Sequence, residues 1–206
     1  MIIIIDYQAG NLTSVVRSLK ALGVEGRVTQ DPAEVAEGSR VIFPGVGAAG
    51  KAMATLRELG LDQALRESFA RGVPILGICL GAQIILESSE ENDATCLGLL
   101  PGRTRALPRY ENLKIPHMGW NRVRFRKSHA VFKNLPEGAE YYFVHSYYPA
   151  PARADMVLGV TDHGVEFPSA IGWQNLVATQ FHPEKSGRFG LQILENFLAW
   201  DGVNAE

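Results

Sequence analysis

Val73-Pro74-Ile75-Leu76-Gly77-Ile78-Cys79-Leu80-Gly81 is the stretch whose reading decides the fold. A short apolar run bounded by proline and glycine reads as a buried strand, and glycines two places to either side of Cys79 read as a sharp strand-to-helix turn. Such a turn brings backbones close together, so a side chain at Gly77 or Gly81 would clash while the residue at the apex is lifted clear. A thiol at that apex stands at the positive end of the following helix, a field that favours the thiolate and lowers the pKa. Taken alone, residues 77–81 also fit a buried core cysteine between two packing glycines, and the rest of the chain has to decide.

Working outward, Ile2-Ile3-Ile4-Ile5 is a β-branched run of the kind found in the middle of a parallel sheet. Asn11 is placed to cap a helix reaching Gly23, with Leu12, Val15, Val16, Leu19 and Leu22 on one face. Val41-Ile42-Phe43 is a second strand, ended by Pro44-Gly45. A helix from about Ala49 carries Met53, Leu56 and Leu59 at helical spacing, and another over 61–71 leads into the strand before Cys79. Strands separated by helices of this length imply right-handed crossovers and a parallel sheet covered on both faces. Beyond Gly98 the character changes. Residues 121–125, 140–144, 156–160 and 169–173 read as short strands with proline and glycine punctuation, the pattern of antiparallel hairpins. A strand over 176–181 and a closing helix over 190–200, with Ile193, Leu194, Phe197 and Leu198 buried, complete the chain. The expected fold is α/β: one domain over 1–206 with an open, mostly parallel sheet flanked by helices, antiparallel strands being added in the second half.

With 206 residues, 46% of them hydrophobic, the chain suffices for one sizeable core. A formal net charge of -2 gives no global case for nucleic acid or an anionic membrane as partner. One region is basic: Arg103, Arg105, Arg109, Lys114, Arg122, Arg124, Arg126 and Lys127 stand against the single acid Glu111, which fits either a solvated face or a docking surface for an acidic or phosphorylated partner. Cys79 and Cys96 make no disulfide framework, so the reducing cytoplasm is the expected compartment. The apolar start lacks a basic region and a cleavage site and is cut short by Asp6; no run approaches the roughly 20 apolar residues of a membrane span.

Ligand chemistry in parallel sheets collects at the carboxyl ends of the strands, where Asp6, the 44–47 loop and Cys79 all fall. A nucleophilic cysteine also needs a base, and His117, His129, His145, His163 and His182 are available. His182 is favoured because Gln180-Phe181-His182-Pro183-Glu184 follows an apolar strand and so arrives at the same sheet edge. Side chains at i and i+2 of an extended segment point the same way, which lets Glu184 hold the far nitrogen of His182. His129 and His163, in polar turn sequences, are expected to be solvated. For an oxyanion, the backbone amide of Leu80 supplies one donor and Pro44-Gly45-Val46-Gly47 the other.

This constellation resembles the class I (triad) glutamine amidotransferases, in which Gly-x-Cys-x-Gly, a glutamine two residues on and a distant His-x-Glu release ammonia from glutamine. Residues 77–83 and 182–184 match. Within that superfamily the chain is similar to the glutaminase subunits of imidazole glycerol phosphate synthases. The similarity runs through Asp6-Tyr7, Ala9-Gly10-Asn11-Leu12, Pro44-Gly45-Val46-Gly47-Ala48, Pro116-His117-Met118-Gly119-Trp120-Asn121, Tyr142-Phe143-Val144-His145-Ser146-Tyr147-Tyr148 and 180–187.

The resemblance implies Cys79 as nucleophile, His182 as proton shuttle and Glu184 as its orienting acid. It implies glutamine held by Gly47, Gln83, Glu91 and the backbone around Ser146 and Tyr147, next to the oxyanion donors of Gly45, Val46 and Leu80. It further implies a (β/α)8-barrel cyclase subunit as heterodimer partner and receiver of the ammonia, in histidine biosynthesis, with no cofactor and no metal. Asn11, His117, Met118 and Trp120 would then lie on or near the docking face, and Tyr142 and Lys185 at the mouth of the ammonia path. Gln8 stands where the family commonly has glycine and Ala82 where methionine is usual.

Three other readings keep some of these features. An amidotransferase for pyridoxal, purine or surface-sugar synthesis would share the triad, although the 117–121 segment speaks against the first two. A partner-free thiol hydrolase leaves Gln83 and the His-x-Glu spacing unexplained, and a non-catalytic adaptor would be free to lose one of Cys79, His182 and Glu184.

Overall fold

The computed structural model describes residues 1–8, 12–111 and 113–203. Its first half alternates as expected: β1 (Ile2–Ile5), α1 (Thr13–Ala21), β2 (Gly26–Thr29), α2 (Pro32–Glu37), β3 (Arg40–Gly45), α3 (Ala49–Glu58), α4 (Leu61–Ala70), β4 (Ile75–Cys79) and α5 (Leu80–Ile84). The second half is strand-rich: β5 (Ser88–Ser89), β6 (Ala94–Thr95), β7 (Gly102–Ala106), β8 (His117–Arg122), β9 (Arg124–Phe125), β10 (Glu140–His145), β11 (Tyr147–Pro151), β12 (Val157–Asp162), β13 (Glu166–Trp173) and β14 (Leu176–Thr179), closed by α6 (Gly187–Ala199).

The main sheet has eight strands in the order β2-β1-β3-β4-β14-β13-β12-β9. The five from β2 to β14 are parallel and the last three antiparallel. Period-two alternation divides the central side chains between two apolar layers. Ile3, Ile5, Val41, Phe43 and Ile75 meet Met53, Leu56, Leu61 and Leu65 of α3 and α4. Ile4, Ile42, Leu76 and Ile78 meet Val15 and Leu19 of α1 and Ile193, Leu194 and Phe197 of α6. Both faces are therefore covered, as continuous apolar strands require. Leu198, expected in the core, is only half-buried.

Several expectations need correction. Residues 121–125 are not one strand: β8 pairs with β10 in a separate two-stranded ribbon, whereas β9 joins β12 at the edge of the main sheet. The break is at Val123, whose buried side chain and N–H, donated to the Ala139 carbonyl at 3.3 Å, turn the chain inward. A third sheet, β11-β7-β5-β6, and the β2 and α2 elements were not foreseen. α2 starts where the Asp31 carboxylate accepts the Ala33 N–H at 2.8 Å with Pro32 at the first turn, a standard cap pair. Asn11 as a helix cap lies outside the described residues.

The basic stretch is spread over β7, β8 and β9, in three different sheets. Arg103 pairs with Glu90 at 3.4 Å, Arg122 with Glu140 at 3.5 Å, and Arg124 and Arg126 both with Glu166. These pairs are exposed, each worth at most about 1 kcal/mol. The arrangement favours a solvated surface over one continuous docking face.

The turn at Cys79 has the close packing its glycines require. A Cβ on Gly81 would lie 2.0 Å from the Phe43 carbonyl oxygen, and one on Gly77 would lie 3.0 Å from Ala178 Cβ. Gly81→Ala must push α5 away from β3 and is expected to cost about 2–3 kcal/mol or more, Gly77→Ala less, because overpacking against backbone cannot relax by a rotamer change. Denaturant midpoints of the two variants check this order.

Candidate active site

Cys79 ends β4 with φ 56° and ψ −107°, and α5 begins one residue later. Positive φ is rare for a residue with a Cβ and is held here by the strands on either side. β3 lies on one flank with Gly45 opposite Cys79, and β14 on the other with Thr179 opposite Ile78, so the residue after β14, Gln180, arrives at the level of the thiol. α5 is five residues long, little more than one turn behind Cys79. Cys79 borders a cavity of about 350 Å³ whose walls include Val46, Gly47 and Leu80, expected near an oxyanion, and Gln83, Glu91, Ser146 and Tyr147, implied by the family resemblance.

His182 and Glu184 come from the chain that follows β14. The His182 Nδ1–Glu184 Oε1 distance is 2.7 Å, and the two side chains are only 3% and 5% exposed. The route differs from the extended alternation expected: Pro183–Lys185 form a 3-10 turn, which swings Glu184 back under the imidazole. Three contacts pin this turn. His182 N–H donates to the Tyr142 carbonyl at 2.9 Å, Ser186 Oγ donates to the His182 carbonyl at 2.6 Å, and Ser186 Oγ accepts the Tyr142 N–H at 3.0 Å. Burial alone would depress the His182 pKa, but the neighbouring Cys79 sulfur and the Glu184 carboxylate bonded to Nδ1 outweigh it and push it up to about 9. Cys79, His182 and Glu184, the residues expected as nucleophile, base and orienting acid, thus gather at one edge of the sheet, an arrangement suited to acyl transfer.

Gln83 is buried on the cavity wall and donates from Nε2 to the Tyr147 carbonyl at 2.9 Å and to Gln180 Oε1 at 3.0 Å. One oxygen of Glu91 is committed to the scaffold, accepting the Ala49 N–H at 2.7 Å at the start of α3. Gly45 stands behind the cavity wall: a Cβ there would lie 1.7 Å from the Tyr7 hydroxyl. Gly47 has φ +99° and needs to be glycine for that reason. A second cavity, of about 210 Å³ and bordered by Tyr7, Gln8, Lys51 and Thr55, shares Val46 and Gly47 with the first. Residues 46 and 47 therefore form a thin wall with open space on both sides.

Of the residues expected at a docking face, Met118 and Trp120 are 63% and 55% exposed. His117 is not: alternation along β8 turns it inward, where it is buried. Tyr142 lies between Trp120 and His182, with ring centroids 6.2 and 6.4 Å away, and Lys185 Nζ is 5.9 Å from the Tyr142 ring centre. Asn11 lies outside the described residues.

The expected solvation of His129 and His163 fails. His129 is buried, its Nδ1 accepting the Val131 N–H at 3.1 Å. His163 is half-buried and stacks on His117 at 4.1 Å. Behind the cavity wall, His145 Nδ1 is 2.8 Å from the Tyr147 carbonyl, His117 Nδ1 is 2.9 Å from His145 Nε2, and Asn121 Nδ2 is 3.1 Å from His117 Nε2. A carbonyl only accepts, so His145 carries its proton on Nδ1, His117 carries its own on Nδ1, and Asn121 donates at the far end. Both rings are neutral in this chain. Burial pushes the pKa of His117 down to about 4 and that of His145 to about 3. Depressed folded values mean stability that is present above the unfolded value of about 6.5 and is lost as pH falls through about 4 to 3. Denaturation midpoints are expected to drop between pH 7 and 4, and His117→Phe, although weaker at pH 7, to show a shallower drop.

Gln180, Tyr7, Pro116 and Val144 also surround the site and were given no role from the sequence, and His145, one of the candidate bases, lines the cavity too. The alternation used forward from His182 to Glu184 would have found Gln180 if applied backward. Among the described residues no group of three or more His, Cys, Asp or Glu side chains is placed to hold a metal ion.

Comparison with known proteins gives a consistent result. The family model Glutamine amidotransferase class-I matches residues 3–200. The imidazole glycerol phosphate synthase subunit HisH of Dehalococcoides mccartyi is 48% identical over 199 residues, 96% of each chain. That of Moorella thermoacetica is 50% identical over 197 residues, covering 95% of this chain and 93% of its own. In fold, the chain is similar to a crystal structure of glutamine amidotransferase (TM-score 0.75, 18% identity, 98% and 99% of the two chains covered) and to PurLQS from Thermotoga maritima (TM-score 0.74, 18% identity, 96% and 97% covered).

Proposed function

Because the chain belongs to the class I glutamine amidotransferases, among the HisH subunits of imidazole glycerol phosphate synthase, we propose a specific division of labour among its residues. Its activity is that of the glutaminase subunit in histidine biosynthesis, releasing ammonia from glutamine. The proposal concerns which atoms do this and where the ammonia goes.

Cys79 Sγ gives its proton to His182 Nε2 and attacks the side-chain carbonyl carbon of glutamine. The oxyanion takes the Leu80 N–H and a second amide from the 45–47 loop. As the tetrahedral species collapses, His182 returns the proton to the leaving nitrogen, and ammonia departs from a Cys79 thioester. Water, deprotonated by His182, then attacks the thioester; the second collapse frees glutamate and restores the thiol. Glu184 stabilises the imidazolium in both halves. The observation that carries the reading is Cys79, strained at the end of β4 on the cavity that holds Gln83, with the closed His182–Glu184 pair as its base.

The ammonia passes to a (β/α)8-barrel cyclase subunit docked as a heterodimer, and the whole chain acts as one glutaminase domain in the cytoplasm. Exposed Met118 and Trp120, with Tyr142 leading from Trp120 to His182, support that docking face. The open space on both sides of residues 46 and 47 supports a loop whose oxyanion donor is set by the partner. Adding the cyclase subunit and its nucleotide is therefore expected to raise glutamate release by orders of magnitude; turnover by the isolated chain at the full rate would contradict this. Trp120→Ala should weaken association by about 1–3 kcal/mol, roughly five- to 150-fold in Kd, as loss of an exposed aromatic anchor does. Titration calorimetry with the cyclase subunit reads this directly.

A further inference from the structure

We propose that Gln180 is a positioning residue that holds the Cys79 sulfur for attack and ties it to the glutamine site through Gln83. The inference rests on the glutaminase reading and adds to it a residue outside the triad.

The side chain of Gln180 is completely buried, where a carboxamide is costly unless its groups are bonded. Its orientation follows from its neighbours. Gln83 Nε2 has two hydrogens, and the Tyr147 carbonyl, an obligate acceptor, takes one. The other goes to Gln180, which must present its oxygen, at 3.0 Å. That choice turns Gln180 Nε2 toward Cys79 Sγ, 3.6 Å away, a separation suited to an N–H donating to sulfur. The Gln180 backbone is fixed in turn, its N–H donating to the Ser169 carbonyl at 2.9 Å.

This donor distinguishes the two states of the nucleophile. A thiol sulfur is a weak acceptor and a thiolate a strong one, so the bond favours the ionised form and fixes the direction of its lone pairs. Bonds in a buried chain polarise one another. A ligand ammonium or amide N–H accepted by the Gln83 oxygen would strengthen the Gln83 donation to Gln180, and through it the donation to sulfur. The titratable groups that face the sulfur are His182 and Tyr7, and Glu91 borders the same cavity. Burial raises the Tyr7 pKa and keeps its hydroxyl neutral, so an alkylation profile reports the Cys79–His182 pair.

The test is the second-order rate of iodoacetamide alkylation of the full chain from pH 5.5 to 10 without glutamine, for wild type, Gln180→Met and Gln180→Glu. Gln180→Met is expected to shift the alkylation profile to higher pH by about one unit, and Gln180→Glu further because a carboxylate repels a thiolate. In the complex, kcat should fall more than KM rises. A profile superimposable on wild type, or a rise in KM alone, would overturn the proposal and reduce Gln180 to a prop for Gln83. Should Gln180→Met fail to fold, the unmodified protein still answers. The Gln180 side-chain amide protons should shift in NMR with the alkylation midpoint and lose that titration in Cys79→Ala; a flat response counts against the proposal. Absence of glutamine hydrolysis by the wild-type complex would instead sink the glutaminase reading and leave the alkylation result intact.

Discussion

Cys79→Ser in the assembled enzyme is expected to lose glutamine-dependent synthesis by a factor on the order of 10⁴ or more, as removal of a covalent nucleophile does elsewhere. A serine hydroxyl is far less acidic than a thiol and would be a poor nucleophile here. His182 is matched to a thiol: its imidazolium, held by Glu184 at 2.7 Å and raised to about 9, favours a thiolate partner and is a weak base toward an alcohol. The substitution is nearly isosteric at a buried site, so the fold and docking should survive. Supplying ammonium salt in place of glutamine separates chemistry from structure. If the variant complex makes product from ammonium at the wild-type rate but not from glutamine, the loss lies at Cys79; retained glutamine-dependent activity would refute the nucleophile assignment.

Glu184→Gln is the second large effect expected, a fall in kcat of about 10²–10⁴-fold, by analogy with asparagine in place of a triad aspartate. The pair is almost fully enclosed, and among the described residues Glu184 Oε2 has no hydrogen-bond partner, so the carboxylate's role is concentrated on His182 Nδ1. An amide can turn its NH₂ toward Nδ1, which forces the ring proton to Nε2, the nitrogen that must accept a proton from sulfur. The pH dependence follows with a definite sign. A folded pKa raised to about 9 from about 6.5 contributes stability that is fully present below about 6.5 and is lost as pH rises through about 9. Glu184→Gln removes the carboxylate charge that helps raise it, so the loss should come at lower pH and be smaller. Stability measured by urea titration at pH 6, 7.5 and 9.5 in both proteins checks this, alongside kcat for the stimulated complex.

The parallel half of the fold was legible because each strand is buried on both faces and each helix carries one apolar stripe. Ile2–Ile5 and 73–79 could be nothing else once helices lay between them. The turn at Cys79 was legible because glycine two places away on each side has a steric reason, visible as Gly81 against the Phe43 carbonyl. β2 was missed because its exposed positions Arg27 and Val28 show no buried alternation. The 121–125 segment misled because Arg122, Arg124 and Arg126 alternate without interruption across a break that only Val123, turning toward Ala139, reveals.

The site shows the same division. Cys79 and His182 follow from strand ends and sheet edges, which sequence periodicity locates, whereas Gln83 entered only through the family resemblance. The histidines do not: polar flanks suggested solvent for His129 and His163, yet tertiary packing encloses the first and stacks the second on His117. His117 was expected on or near the docking face with Met118 and Trp120, but adjacent residues of one strand face opposite ways, and it packs inward. Glu184 reached its place by a 3-10 turn that the Pro183 signal allowed but did not require.

The most direct test is to follow the label from amide-¹⁵N glutamine through a mixture of this chain, the barrel cyclase subunit and its nucleotide substrate. The account predicts that ¹⁵N appears in the imidazole product one-for-one with glutamate, even against an excess of unlabelled ammonium. Glutamate formed while the label accumulates as free ammonia, or product formed without glutamate, would contradict it.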